Sequence, residues 1–280
     1  MNKFCIIVNK DRDEQMELTS RVQCFLSEYG KEYELRMESL DTADKEWEPI
    51  SKDTDCIIVL GGDGTMIRAA NRLLGYDIPI FGINAGTLGY LTGAEAADAE
   101  RGIERLCKND FRVENRMMLD TEVNQQYVDT VLNEVVITRS GVSRIINLAV
   151  YVNGALLDMV SGDGLLISTP TGSTGYNLSA GGAVVKPEAE LILITPICPH
   201  SLTSRGIVVS AADEISVEIR QNKRGSEVEA VATFDGRVAK SLKPDDKILV
   251  KRSKYTTKMV QLDERTFFEV LRSKLGSVEQ

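Results

Sequence analysis

The residues with the clearest capacity for chemistry are Leu60-Gly61-Gly62-Asp63-Gly64-Thr65. They lie between an unalternating apolar run, Cys56 to Leu60, and an apolar set at helical spacing, Met66, Ile67, Ala70 and Leu74. The run predicts a parallel strand buried on both faces, and the spacing predicts a helix. A helix N-terminus offers unpaired N–H groups and a partial positive charge. Glycine permits a sharp turn and the close approach of a phosphate. The stretch therefore suits a polyphosphate, except for Asp63, whose carboxylate repels one. Asp63 must hold a metal, accept a proton or bond a sugar hydroxyl. A P-loop would need Lys where Thr65 stands, and a dinucleotide fingerprint would need Gly where Ile67 stands. The plain alternative is a tight turn with Asp63 capping the next helix. A cap needs one polar residue and no set of glycines around it.

A second dense stretch begins at Asp163. A short strand, Leu165 to Ile167, feeds Ser168-Thr169-Pro170-Thr171-Gly172-Ser173-Thr174-Gly175-Tyr176-Asn177-Leu178-Ser179. Composition alone says loop. Tyr176, however, offers an aromatic face to a base or ring. The small residues Ser179 to Gly182 leave room for a ligand or another backbone. Taken alone, Asn133-Glu134 reads as the head of a strand, and Asp235-Gly236 as a hairpin turn. His200, between Pro199 and Ser201, reads as a hydrogen-bonded structural histidine, and Cys198 as a small buried hydrophobe.

The elements that must position these groups fall into two halves. Up to about residue 111, strands alternate with helices. Strands are expected at 4–8, 33–37, 56–60 and 79–83, with helices at 14–29, from the glycine turn to Leu74, and over 98–108; 38–55 reads as a loop. This pattern predicts a parallel, doubly wound sheet with ligands at the carboxyl ends of its strands. From 112 to 262, short strands and turn signals predict an antiparallel, sandwich-like β-rich domain. Strands are expected near 117–123, 131–138, 145–152, 155–160, 164–168, 191–195, 206–210, 215–220, 228–234 and 247–252. Asn124-Gln125, Asn153-Gly154 and Asp235-Gly236 are hairpin candidates. A last helix around Phe267 to Leu271 is expected to bring 263–280 back onto the first domain. The acceptor-binding cleft is expected to use both halves.

Composition narrows the partners. The 280 residues carry a net charge of −9, which argues against nucleic acid and against an anionic membrane surface. No apolar run has the length of a membrane span, and no signal peptide is visible. Five scattered cysteines form no zinc or redox motif and fit a reducing cytoplasm. The single histidine leaves a Ser-His-Asp triad unsupported, since no nucleophile elbow is present.

The blocks together resemble bacterial NAD kinases over nearly the whole chain: LGGDGT at 60–65, GINAGTLGYL at 82–91, NEVVITR at 133–139, DGLLISTPTGSTGYNLSAGG at 163–182, PICPHSLTSR at 196–205 and FDG at 234–236. The first block is shared with diacylglycerol and sphingosine kinases and, in variant form, with phosphofructokinases. The resemblance implies phosphoryl transfer from ATP or another donor to the 2′-hydroxyl of the adenosine ribose of NAD. It implies Asp63 as proton acceptor, with Gly61, Gly62, Gly64, Thr65 and Arg68 at the phosphates. Asn133, Glu134, Thr171, Thr174, Gly175, Tyr176, Asn177, Leu178 and Ser179 would line the adenosine pocket. Asp163 would contact the nicotinamide side, and Tyr90, Arg144 and Asp235 would add contacts to NAD. It further implies Mg²⁺ carried by the donor, no protein-only metal site, and a homodimer or homotetramer. A lipid kinase and a nucleotide-binding regulator without turnover are the alternatives. The polar loop 168–179 argues against the first, and the presence of Asp63 against the second.

Overall fold

A computed structural model describes residues 1–38, 49–86, 89–140, 145–201, 203–221, 229–262 and 266–276. Two units emerge, Met1–Asn115 with Thr257–Gln280, and Arg116–Thr256. The first begins β1 (Lys3–Asn9), α1 (Glu17–Glu28), β2 (Glu32–Glu38), β3 (Cys56–Gly61), α2 (Asp63–Arg72), β4 (Ile80–Asn84), β5 (Ala94–Glu95) and α3 (Ala99–Cys107). Strand β1 pairs in parallel with β2 and β3, and β3 with β4. Alternate side chains of each strand serve opposite faces. Phe4, Ile6, Val8, Ile58, Leu60, Phe81 and Ile83 pack with Leu18, Val22 and Leu26 of α1 and Ile103 and Leu106 of α3. On the other face Gly82 makes room for Met66 of α2, whose Sδ would lie 2.7 Å from a Cβ there. Helices on both faces of a parallel sheet give the doubly wound architecture expected. Helix α1 begins at Glu17 and not at the expected 14, and Asp13 accepts the N–H groups of Leu18 and Thr19 at its start. Much of the expected 38–55 loop, residues 39–48, lies outside the described residues.

The second unit is β-rich. It contains β6 (Arg112–Val123, most of it), β7 (Gln126–Val131), β8 (Glu134–Arg139), β9 (Ile146–Val152), β10 (Ala155–Gly162), β11 (Gly164–Ser168), the one-turn helix α4 (Tyr176–Ser179), β12 (Leu191–Ile197), β13 (Ile207–Ser210), β14 (Ile215–Arg220), β15 (Ala230–Phe234) and β16 (Arg237–Leu242). An antiparallel sheet of order β13-β12-β11-β8-β15-β16 faces the run β10-β9-β14, which continues into β17 (Lys247–Gln261). Their inner side chains, among them Val135, Ile137, Leu165, Ile167, Leu148, Val150, Val217 and Ile248, share one core. The three expected hairpin turns are present, and both central residues of each have positive φ, as a type I′ turn requires.

Strand β17 runs beyond the expected 247–252. It pairs with β14 in the second unit, and its Met259 pairs in parallel with Ile80 in the first. Helix α5 (Phe267–Lys274) follows, belongs to the first unit, and is fixed at its start by a capping box between Thr266 and Glu269. The strand expected at 131–138 is instead two, with a break at Leu132–Asn133. That break carries the chemistry of the second unit.

Candidate active site

In the first unit, β3 ends at Gly61 and α2 starts at Asp63, so the glycine turn joins the carboxyl end of a strand to a helix N-terminus. Gly61 is forced by close approach, since a Cβ there would lie 2.5 Å from Thr65 Oγ1. Thr65 is turned inward, buried, and accepts from Asn9 Nδ2 at 2.9 Å. Its backbone can face a ligand, whereas its hydroxyl secures the turn. Gly62 is the extended N-cap residue, and no side chain caps the helix. Asp63 is therefore not the cap of α2. Its carboxylate instead crosses to the segment after β4, where Tyr90 N–H donates to Oδ2 at 2.9 Å and Leu91 N–H to Oδ1 at 3.0 Å. Gly89 makes this possible: a Cβ there would sit 2.3 Å from Asp63 Oδ1. Burial, and then the Asp63 charge, push the Tyr90 phenol upward in pKa. Lys274 Nζ lies 4.7 Å from the Tyr90 ring centroid, a cation–π contact that ties α5 to the same segment. Arg68 reaches along α2, its Nη2 3.4 Å from Thr65 Oγ1.

In the second unit, Asp235 ends β15 and turns its carboxylate onto the β7–β8 break. Oδ2 accepts from Leu132 N–H at 2.8 Å, and Oδ1 from Asn133 N–H at 2.8 Å and Glu134 N–H at 3.0 Å. Three N–H groups drawn to one carboxylate leave the ladder, which is why the strand stops here. The loop after β11 braces the break from the other side. Thr169 N–H donates to Asn133 O at 2.8 Å, and Thr169 Oγ1 donates to Leu132 O at 2.6 Å. Gly172 is bare because Asn133 O would lie 2.4 Å from its Cβ.

This bracing leaves three buried polar atoms without a hydrogen-bond partner among the described residues: Asn133 Oδ1, Glu134 Oε2 and Thr171 Oγ1. Glu134 is buried, and burial first and the Asp235 charge second push its carboxyl up to about 8. Gly175 closes on the pair, its would-be Cβ 3.4 Å from both Asn133 Nδ2 and Glu134 Oε2. Buried polar atoms left unpaired are costly, so their convergence marks a place for a polar ligand. Tyr176 follows directly and is 42% exposed, with its ring free to lie against such a ligand.

The expected residues are therefore unequal. Asn133, Glu134 and Gly175 come together, with Thr171 and Tyr176 on the segment that carries Gly175. Thr174 and Leu178 are half-buried and Ser179 exposed on the same short segment. Asn177 is a correction: it is fully buried, its Nδ2 donates to Ser173 O and Ala183 O, and its Oδ1 accepts from Thr195 Oγ1 at 2.7 Å. Its side chain braces α4 and is engaged by these three bonds. Asp235 contributes through the backbone, its carboxylate shaping the Asn133–Glu134 turn. Asp163 lies at the far end of β11, where Gly164 pairs with Thr138, while Ser168 pairs with Glu134. Four strand residues separate them by roughly 13 Å. There Arg139 Nε donates to Asp163 Oδ1 at 2.7 Å. Cys198 is exposed with φ 43°, contrary to the buried reading, and His200 is exposed, its backbone N–H donating to Ser161 O at 2.8 Å. Arg144 lies outside the described residues. Gly89 and Arg139 were hidden in quoted blocks; only the close approach and the ion pair reveal their work.

Among the described residues, no group of three or more His, Cys, Asp or Glu could hold a metal ion, and no helix is long and apolar enough to cross a membrane.

Residues 4–111 match the ATP-NAD kinase N-terminal domain, and residues 132–262 the ATP-NAD kinase C-terminal domain. An NAD kinase of Lachnoclostridium phytofermentans is 46% identical over 99% of both chains, and one of Agathobacter rectalis 39% identical over 99% of both. Among solved structures, an NAD kinase from Archaeoglobus fulgidus in complex with ATP aligns with TM-score 0.76 and 26% identity, over 99% of this chain and 100% of that one. A yeast NADH kinase complexed with NADH shares the fold with TM-score 0.84 at 21% identity, over 100% of this chain and 89% of that one. With both halves matched and relatives this similar end to end, the chain belongs to the NAD kinase family.

Proposed function

We propose that this chain transfers the terminal phosphoryl group of ATP to the 2′-hydroxyl of the adenosine ribose of NAD, giving NADP and ADP. The observation that carries the reading is Asp63, a carboxylate in the first turn of a phosphate-type helix start, aimed by two backbone N–H groups. A ribose hydroxyl is a weak nucleophile. As its oxygen bonds to the phosphorus, its proton passes to Asp63, and the bond from phosphorus to the ADP oxygen breaks. A positioned carboxylate contributes roughly 10²–10⁴ in rate to such a step. The remainder comes from alignment and from neutralising charge.

The phosphates of ATP would hold Mg²⁺, which would supply neutralisation of their charge. The α2 N-terminus and Arg68 meet those phosphates. Asn133, Glu134 and Thr171, with their unpaired atoms, take the polar edges of the adenosine half, and Tyr176 takes its face. Asp163, one strand length away, suits the other half of an extended dinucleotide. The same convergence of unpaired polar atoms disfavours a lipid acceptor, which would want an apolar channel. Free thiols at all five cysteines fit a reducing cytoplasm, where the chain would act as a homodimer or homotetramer.

Incubation with ATP and Mg²⁺, and either NAD or diacylglycerol, decides between acceptors. The expected product is NADP alone. Phosphatidic acid without NADP would replace this reading with the lipid one, and ATP binding without either product would favour a regulator.

A further inference from the structure

The arginine beside the glycine turn is not free to swing. Glu38 ends β2, and its side chain is completely buried. Arg68 and Arg72, one turn apart on α2, place their Nε atoms 3.3 and 3.4 Å from Glu38 Oε1. Glu38 Oε1, Glu38 Oε2 and Arg68 Nε have no well-aligned hydrogen-bond partner among the described residues. A buried ion pair is weak evidence of a stabilising role by itself, which leaves room for another reason. Burial raises its pKa against the opposing pull of Arg68 and Arg72.

The far end of Arg68 supplies that reason. Its Nη2 lies 3.4 Å from Thr65 Oγ1, which Asn9 holds in turn. Its Nη1 lies 3.7 Å from where a Cβ on Gly64 would sit. The guanidinium thus spans from Glu38 at its inner edge to the first turn of α2 at its outer edge.

We propose that Glu38 is a positioning residue: it anchors the inner edge of Arg68 so that the outer N–H groups face the donor phosphates at the Gly62–Gly64 turn. This rests on the kinase reading above. The side chain is held by an ion pair on one side and a hydroxyl on the other, so little rotamer freedom remains to be lost when ATP binds.

The test uses the full chain and compares Glu38→Gln, Arg68→Met, the double variant and Arg68→Lys. Steady-state KM for ATP and for NAD is read alongside kcat, and ATP affinity is read by calorimetry. Either single change should weaken ATP by about tenfold, the size of one lost charge-assisted hydrogen bond. KM for NAD should stay within about twofold, a split that a general loss of structure would not produce. The double variant should be no worse for ATP than Arg68→Met alone. Unchanged ATP affinity in Glu38→Gln, or losses that multiply in the double variant, would overturn the proposal. If Glu38→Gln does not fold, Arg68→Lys decides: it keeps the charge but cannot span both ends, so normal ATP affinity in it would be equally contradictory. A wild-type chain that makes no NADP would refute the kinase reading, while the calorimetric comparison would still decide the role of Glu38.

Discussion

Asp63 shows how little a side chain's identity says without its supports. Its oxygens are aimed by two N–H groups, and those can approach only because residue 89 has no Cβ. Gly89→Ala should therefore move the carboxylate rather than alter its chemistry. A displacement near 1 Å costs about a hundredfold in rate, so kcat for NADP formation should fall by about that much while NAD affinity, read by calorimetry, barely changes. A kcat within about twofold of wild type would mean that Asp63 is not held as described. Glu134 supports a different prediction. Burial first and the Asp235 charge second push its carboxyl up to about 8 in the folded state, from an ordinary 4.5. The folded state thus binds the extra proton between those values, and the stability that it contributes is full below about 4.5 and lost as pH rises through about 8. Ligand-free wild type should lose thermal stability across this window, and Glu134→Gln should flatten the dependence and melt higher at pH 8. Parallel melting curves against pH for the two proteins would show that Glu134 is not the group responsible.

The β7–β8 break illustrates what a linear pattern cannot carry. Val131 to Thr138 is apolar enough to read as one strand, and only Asp235, far along the chain, takes its N–H groups away. The three type I′ turns were legible because Asn, Asp and Gly tolerate positive φ locally. The break depends on a contact across the sheet and was not. Asn177 is alike: the resemblance put it at the ligand, but Gly182 lets its side chain reach Ala183 and Ser173. The loop that holds it is in part helical, with a 3-10 turn at Thr171–Thr174 before α4. Asp235→Asn keeps the volume but offers one acceptor oxygen for three N–H groups. A buried unsatisfied donor costs about 1–3 kcal/mol. The variant should thus lower thermal stability and weaken NAD binding by about tenfold, with ATP affinity unchanged. Full NAD affinity in a folded Asp235→Asn protein would show that the turn is held by other means.

The chemistry is divided along the chain. The first unit carries Asp63, the glycine turn and Arg68, and the second carries Asn133, Glu134, Thr171 and Tyr176. The α/β and β-rich character of the two stretches was legible from the change in period near residue 111, because helices and sandwich strands bury different faces. The length of β17 was not, since the strand partner of its later part, Ile80 opposite Met259, lies far away in the sequence. The decisive measurement is kcat for NADP formation from ATP, Mg²⁺ and NAD by Asp63→Asn, taken beside its NAD affinity. Asparagine keeps the shape of the side chain and cannot accept the ribose proton. The expected result is a fall in kcat of at least about a hundredfold with NAD affinity nearly unchanged. Near-normal turnover by this variant would contradict the assignment of Asp63 as the base.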